Sequence, residues 1–257
     1  MTLHVFLVET DDAVRAVTEG ALTLTGREGH HAADVRRLRA GEAVEVTDGH
    51  GQRLACTVRR VSRAHVELVV DRASRESRET PVVTVAQALV KQDSAERALA
   101  AMTEVGVDAV LPFTAERSVV TWDDSRVERG LRRWRAAVEQ AAKQARRAWV
   151  PDVAPPVDLD ALSQRLRRAD LALVLDAAGA TPLADVDANG ATDVVLVVGP
   201  EGGLSRREID AMVSAGAMPA RLGPTVLRSA TAGPVAASVL LSRTQRWLTR
   251  HEQTTAG

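Results

Sequence analysis

The chain has 257 residues, 45% of them hydrophobic and 26% charged, with a formal net charge of −1. That length is enough for one large or two modest domains with a sizeable core. The near-neutral balance excludes a global field drawing the molecule to nucleic acid, so any such affinity has to sit in local patches.

The opening MTLHVFLVETDD has no basic stretch followed by a long apolar one, and no run approaches the roughly 18 apolar residues of a membrane span. A cytoplasmic protein, with no membrane partner, is the expectation. HVFLVE, ALTLT, AVEVTDG, RLACTVRRV and HVELVV read as short strands, with DGHG at 48–51 as a hairpin turn, and little helix is expected between them. Together they suggest a small β-barrel. Cys56, the single cysteine, excludes an intrachain disulfide and reads as a small buried residue. The adjacent His30 and His31 would face opposite ways along a strand and suit a role in the turn or in packing better than metal ligation, so no metal is expected. RASRESRETP, 72–81, is polar and ends in Pro, as a linker does.

Beyond Pro81, strands and helices alternate. VVTVAQALV is a strand, and DSAERALAAMTEVG a helix with Asp93 and Glu96 as its capping box and Gly106 as its stop. AVLPF is a strand, followed by a long helix from about Asp123 to Trp149. LALVLD (171–176) and DVVLVV (193–198) are apolar runs of the kind buried on both faces of a parallel sheet. Ser205 and Glu208 form a capping box for a helix after GPEGG. PARLG is a short last strand, and 230–248 a last helix in which Pro234 is tolerable only in the first turn. The pattern is that of an α/β domain.

Two Gly-rich loops, GPEGGLS (199–205) and LGPTVLRSATAG (222–233), leave buried strands where ligands bind open α/β sheets. Neither matches a dinucleotide or triphosphate cradle. In the long helix, Val127, Leu131, Trp134, Val138, Ala142, Ala145 and Trp149 make an apolar stripe. From Arg126 to Arg147 the other faces carry eight basic side chains against Glu128 and Glu139, a local charge of +6. Two readings stay open for this face, a solvated surface and a phosphate-contacting one. Arg36, Arg37 and Arg39, with Arg59, Arg60 and Arg63, add smaller clusters in the β-region. With no Tyr and two Phe, a base-stacking platform is disfavoured.

GPEGGLSRREI followed by LGPTVLRSATA resembles the paired signature of the ribosomal RNA small subunit methyltransferase E family, in the SPOUT class. HHAADVRRLRAGEAVEVTDG, KQDSAERALAAMTEVGVDAVLPFTAERSVV and RWRAAVEQAAKQARRAWVP resemble further family blocks in the same order. The resemblance spans the chain apart from 152–170 and the tail after Trp247. It implies a PUA-like β-barrel for RNA binding (1–72), a linker (73–81) and a SPOUT α/β methyltransferase domain with a C-terminal trefoil knot (82–250). It also implies a homodimer that uses S-adenosyl-L-methionine to methylate N3 of a uridine in 16S ribosomal RNA, within the 30S subunit.

On this reading Gly199, Pro200, Glu201, Gly202 and Gly203 close on the cofactor, joined by Leu175, Leu222, Gly223, Leu227 and Ala232. Arg36, Arg37, Arg39, Arg117, Arg132, Arg133, Lys143, Arg146 and Arg147 are the expected RNA contacts. The sulfonium methyl is already electrophilic, so the harder task is to make uracil N3 a nucleophile. A fixed guanidinium suits the negative charge that spreads onto O2 and O4, which points to Arg228; a phosphate clamp is the other role open to it. Where the family commonly has an acid in Leu-Arg-Thr-Glu-Thr-Ala, this chain has Ala230, so no general base is assigned there. A ribose 2′-O-methyltransferase and a non-enzymatic ribosome-assembly protein are the alternatives.

Overall fold

A computed structural model describes residues 3–248. They divide into two compact units: one takes residues up to Arg78 together with Glu139–Val150, the other Glu79–Val138 together with everything from Pro151 on. The residues past 248, including the end of the expected 82–250 domain, lie outside the described residues.

The first unit holds β1 (His4–Leu7), α1 (Thr10–Glu19), β2 (Ala21–Leu24), α2 (Gly26–His30), β3 (Ala43–Thr47), β4 (Gln52–Ser62) and β5 (His65–Arg75). The strands form one sheet in the order β1-β3-β4-β5-β2, parallel between β1 and β3 and antiparallel elsewhere. Leu54, Cys56 and Val58 alternate inward along β4 and meet Phe6, Leu24, Val46 and Leu68 in the core. The expected hairpin at 48–51 is present, with Asp48 Oδ1 accepting from the N–H groups of His50 (2.7 Å) and Gln52 (2.9 Å). Burial pushes the Cys56 thiol up to about 12, with the Asp71 carboxylate adding to the effect.

Helix is more abundant here than the strand pattern implies. α1 has Asp11 and Asp12 in its first turn and Gly20 in the left-handed conformation at its end, a start and a stop readable in ETDDAVRAVTEG. His30 and His31 are helical, at the junction of α2 with a π-helical segment, His31–Val35. His31 packs, its ring meeting Phe6 edge-on at 6.1 Å, whereas His30 is exposed and its Nδ1 lies 2.7 Å from Asp34. β5 continues to Arg75, into the stretch expected as a linker, because Ser74 and Arg75 stay in register with Arg53 and Gln52.

The second unit is built on a seven-stranded parallel sheet. Its elements are β6 (Val82–Ala88), α3 (Gln92–Val105), β7 (Ala109–Phe113), β8 (Asp152–Val153), α5 (Leu159–Arg167), β9 (Leu171–Leu175), β10 (Thr181–Pro182), β11 (Asp193–Val198), α6 (Arg206–Ser214), β12 (Met218–Arg221), α7 (Ser229–Leu241) and α8 (Gln245–Leu248). The helix after β7, α4 (Asp124–Gln144), begins in this unit and ends in the first. Strand order is β10-β12-β9-β11-β6-β7-β8, with Val194 to Val198 of β11 wholly buried at the centre.

Three expectations need correcting. The capping box at Asp93 does not form: α3 begins earlier, with Lys91 at the N-cap and no side-chain cap, and Glu96 accepts from Gln92 Nε2 at 2.8 Å instead. α4 stops at Gln144 rather than near Trp149. Arg146 takes a φ of 55°, the Arg147 N–H bonds the Ala142 carbonyl (2.9 Å) and the Arg146 N–H that of Lys143 (3.2 Å), a Schellman ending made without glycine. The last helix is two, α7 and α8, and Pro234 sits past the first turn of α7, where it leaves the Ala230 carbonyl without its helical donor. Beyond these, β8, α5 and β10 form at 152–153, 159–167 and 181–182, where no element was expected; Asp158 caps α5 by accepting from Ala161 N at 2.8 Å.

Candidate active site

The centre of the sheet positions the site. β11 ends at Val198, and the chain turns at once, the Gly203 N–H bonding the Pro200 carbonyl at 2.9 Å. Gly203 has φ +70°, a conformation that a side chain strains. The expected capping box of α6 is complete: Ser205 Oγ accepts from Glu208 N (3.2 Å) and Glu208 Oε2 from Ser205 N (2.7 Å). Glu208 is buried, and its second oxygen accepts from Glu116 N at 2.8 Å, so one carboxylate holds both the GPEGG turn and the loop after β7.

The second loop joins β12 to α7. Arg228 is the N-cap of α7, its carbonyl accepting from Ala232 N at 2.9 Å while its side chain is exposed. Next to it Ser229 Oγ accepts from Gln87 Nε2 (2.9 Å) and donates to the Gly199 carbonyl (2.8 Å). A buried chain of hydrogen bonds thus ties the ends of β6 and β11 to the start of α7.

Between the loops lies a cavity of about 680 Å³. Leu175, Gly199, Pro200, Glu201, Gly203, Leu222, Gly223, Leu227, Arg228 and Ala232 all line it. Gly202 is not among the lining residues; it backs onto Arg117, whose Nη1 donates to the Gly202 carbonyl at 3.4 Å. Ser94, Arg97, Asp176 and Thr225 line the cavity and were not singled out in the sequence. Asp176 was within reach of sequence reasoning, since it ends the LALVLD run; Ser94 and Arg97 come from α3, which only the packing of α3 on α7 brings there. Among the described residues no side chain pairs with the guanidinium of Arg228 or the carboxylate of Glu201, which leaves a cation and an anion facing the same space.

The family profile of the RNA methyltransferase domain matches residues 78–241, and that of the RNA methyltransferase PUA domain residues 24–71. The chain is 41% identical over 251 residues to "Ribosomal RNA small subunit methyltransferase E" of Mycobacterium bovis, covering 96% of this chain and 94% of that one. The chain belongs to the ribosomal RNA small subunit methyltransferase E family. Solved structures agree in fold. The Neisseria gonorrhoeae ribosomal RNA small subunit methyltransferase E, bound to S-adenosyl methionine, superposes with a TM-score of 0.80 at 25% identity, over 92% of this chain and 96% of that one. The Legionella pneumophila protein Lpg2936, in complex with the bound cofactor SAM, gives 0.81 at 28%, over 94% and 98%.

Within this member of the methyltransferase E family the basic residues fall into distinct settings. Arg36, Arg37 and Arg39 are exposed, Arg37 with a φ of 55°. Arg132 and Arg133 are exposed on α4, on the side opposite the buried Leu131, Trp134 and Val138, and Arg133 donates to Gln92 Oε1. Lys143 is half-buried and paired with Glu28 at 2.6 Å. The Arg146 carbonyl accepts from Arg53 at 2.9 Å, and Arg147 is half-buried. The +6 segment is therefore partly an internal ion-pair system and partly an open cationic face. Among the described residues no cluster of His, Cys, Asp or Glu is placed to hold a metal ion, and no helix is long and apolar enough to cross a membrane.

Proposed function

We propose that this chain binds S-adenosyl-L-methionine in the cavity between its two Gly-rich loops and methylates N3 of a uridine in 16S ribosomal RNA. The observation that carries this reading is the convergence of both loops on one cavity with the unpaired guanidinium of Arg228 at its edge. The lining fits such a cofactor. About 680 Å³ lies within the roughly 300–1,000 Å³ of small-molecule sites. Leu175, Leu222 and Leu227 offer an apolar wall for adenine, and Asp176 and Glu201 offer acceptors for its hydroxyl and ammonium groups. When bound, the cofactor supplies an electrophilic methyl group.

The protein's own task is to present uracil N3 as an anion. Arg228, a forked guanidinium, stabilises the charge that develops on O2 and O4 as the N3 proton leaves. Its backbone is the N-cap of α7, next to Ser229, whose hydroxyl is tied to the Gly199 carbonyl, which supports this reading. Ala230 contributes no carboxylate, so the proton leaves to a group outside the α7 first turn.

The same reading assigns RNA docking to a PUA-like barrel at 1–72 and to the exposed arginines of α4, with the methyltransferase domain over 82–250. It also includes a C-terminal trefoil knot, a homodimer with shared cofactor sites, and action on the 30S subunit in the cytoplasm. Methyl transfer from labelled S-adenosylmethionine to 30S subunits lacking the modification, followed by nucleoside analysis, tests it. N3-methyluridine is the expected product. A ribose-methylated product moves the chain to the rival chemistry, and absence of cofactor binding leaves an assembly protein.

A further inference from the structure

Arg97 belongs to neither Gly-rich loop, yet it lines the same cavity as both. Ser94 and Arg97 stand three residues apart on α3 and so share one helical face. The Arg97 side chain is exposed, and among the described residues no carboxylate pairs with it. Some exposed arginines have such a partner, as Arg15 has Asp12 at 2.5 Å, Arg206 has Asp210 at 3.0 Å and Arg207 has Glu116 at 2.9 Å; what sets Arg97 and Arg228 apart from the other open ones is their place on the cavity wall. The neighbouring Glu96 is engaged by Gln92 Nε2, and the other end of that amide accepts from Arg133 of α4. The first turn of α3 therefore carries a contact from the basic helix on one side and the cavity on the other.

We infer that Arg97 binds a phosphodiester of the ribosomal RNA and leads the strand from Arg133 on α4 to Arg228 at the reacting base. The inference rests on the function proposed above. Arg133 and Arg97 are exposed cations with no carboxylate partner among the described residues, which suits phosphates of a single strand, while Arg228 is kept for the reacting base. The acidic lining residues, Asp176 and Glu201, follow strands β9 and β11, whereas Arg97 comes from α3 and Arg228 from the N-cap of α7. Ala230, in the first turn of α7, adds no carboxylate that would repel a phosphate or capture Arg97.

The test is binding of the full-length protein to unmodified 16S ribosomal RNA across about 50–200 mM salt, with wild type, Arg97→Ala and Arg97→Lys compared. For Arg97→Ala the slope of log affinity against log salt should become shallower by about 0.7, the value of one single-strand phosphate contact, while Arg97→Lys keeps the wild-type slope. Affinity for S-adenosylmethionine, measured by calorimetry, should stay unchanged in both variants. A wild-type slope in Arg97→Ala overturns the inference. Weakened cofactor binding with an unchanged RNA slope also overturns it and gives Arg97 to the cofactor's carboxylate. Because the slope is read without catalysis, a wild type that binds RNA but makes no N3-methyluridine sinks the reaction proposed above while Arg97 is still decided by its slope.

Discussion

Ser229 donates to the carbonyl of Gly199 at 2.8 Å, although the two residues are thirty positions apart and belong to different loops. The same hydroxyl accepts from the fully buried amide of Gln87 at 2.9 Å. Both loops of the cavity are thus fastened to the sheet through one oxygen. Ser229→Ala should destabilise the protein by about 1–3 kcal/mol, since it strips a buried amide of the shorter of its two bonds, leaving the Ala88 carbonyl at 3.3 Å, and should weaken cofactor binding. Ser229→Thr, which keeps the hydroxyl, should restore most of both. Urea denaturation and calorimetry read the two effects; equal stability of the Ala variant and wild type would remove the network from the account.

Arg228 has a sharper signature. If it stabilises the developing uracil anion, Arg228→Ala should lower kcat by about 10²–10³, as loss of one preorganised donor does, with the cofactor's Kd unchanged. Arg228→Lys should fall between. A normal kcat with a raised KM for 30S subunits would assign the side chain to phosphate instead.

The Cys56 thiol carries an alkaline liability. In the folded chain it is held protonated to about 12, by burial first and then by Asp71, whereas an unfolded thiol ionises near about 8.5. Between those values the unfolded state has released a proton that the folded state keeps. Stability therefore falls as pH rises through that window, by at most about 1.4 kcal/mol per pH unit, and is unaffected at neutral pH. Cys56→Ala removes this slope, so the stability difference between wild type and variant should shrink between about pH 8 and pH 10.5. A difference that stays constant across that range contradicts the assignment.

Arg246 closes the second unit. Its guanidinium bonds Asp108 (2.6 Å), the Pro81 carbonyl (2.7 Å) and the Gly106 carbonyl (2.8 Å), and the Arg246 and Asp108 side chains are 6% and 4% exposed. Arg246→Met takes the guanidinium away from the buried Asp108 carboxylate and from two carbonyls, and should cost about 3–5 kcal/mol. Thermal or urea unfolding measures it. A loss below about 1 kcal/mol would place the pair in the weak, solvent-screened class.

The alternation of Leu54, Cys56 and Val58, the unbroken run of β11, the Ser205–Glu208 cap and the stop at Gly106 are local properties, set by period, β-branching and short-range hydrogen bonds, and the structure keeps all of them. So is the Gly-rich character of both loops, which is why most of the cavity lining was legible in two motifs. Where local signals competed, the reading slipped: Asp93 resembles a cap, yet α3 starts before it, and the Arg146 turn ends α4 without the glycine that usually announces such a stop.

The amino-acid sequence by itself determined the strand and helix faces, the α/β character of the larger part and the two signature loops. Tertiary structure alone decided that Gln87, Ser229 and Gly199 meet, that Lys143 is tied to Glu28 while Arg133 stays on an exposed face, and that Arg97 enters the cavity. The physical reason is range. A cap or an apolar stripe is written within one or two helical turns, whereas a parallel sheet places strand ends together only after long crossovers, and which distant side chains those ends bring within 3 Å is settled by strand order and packing.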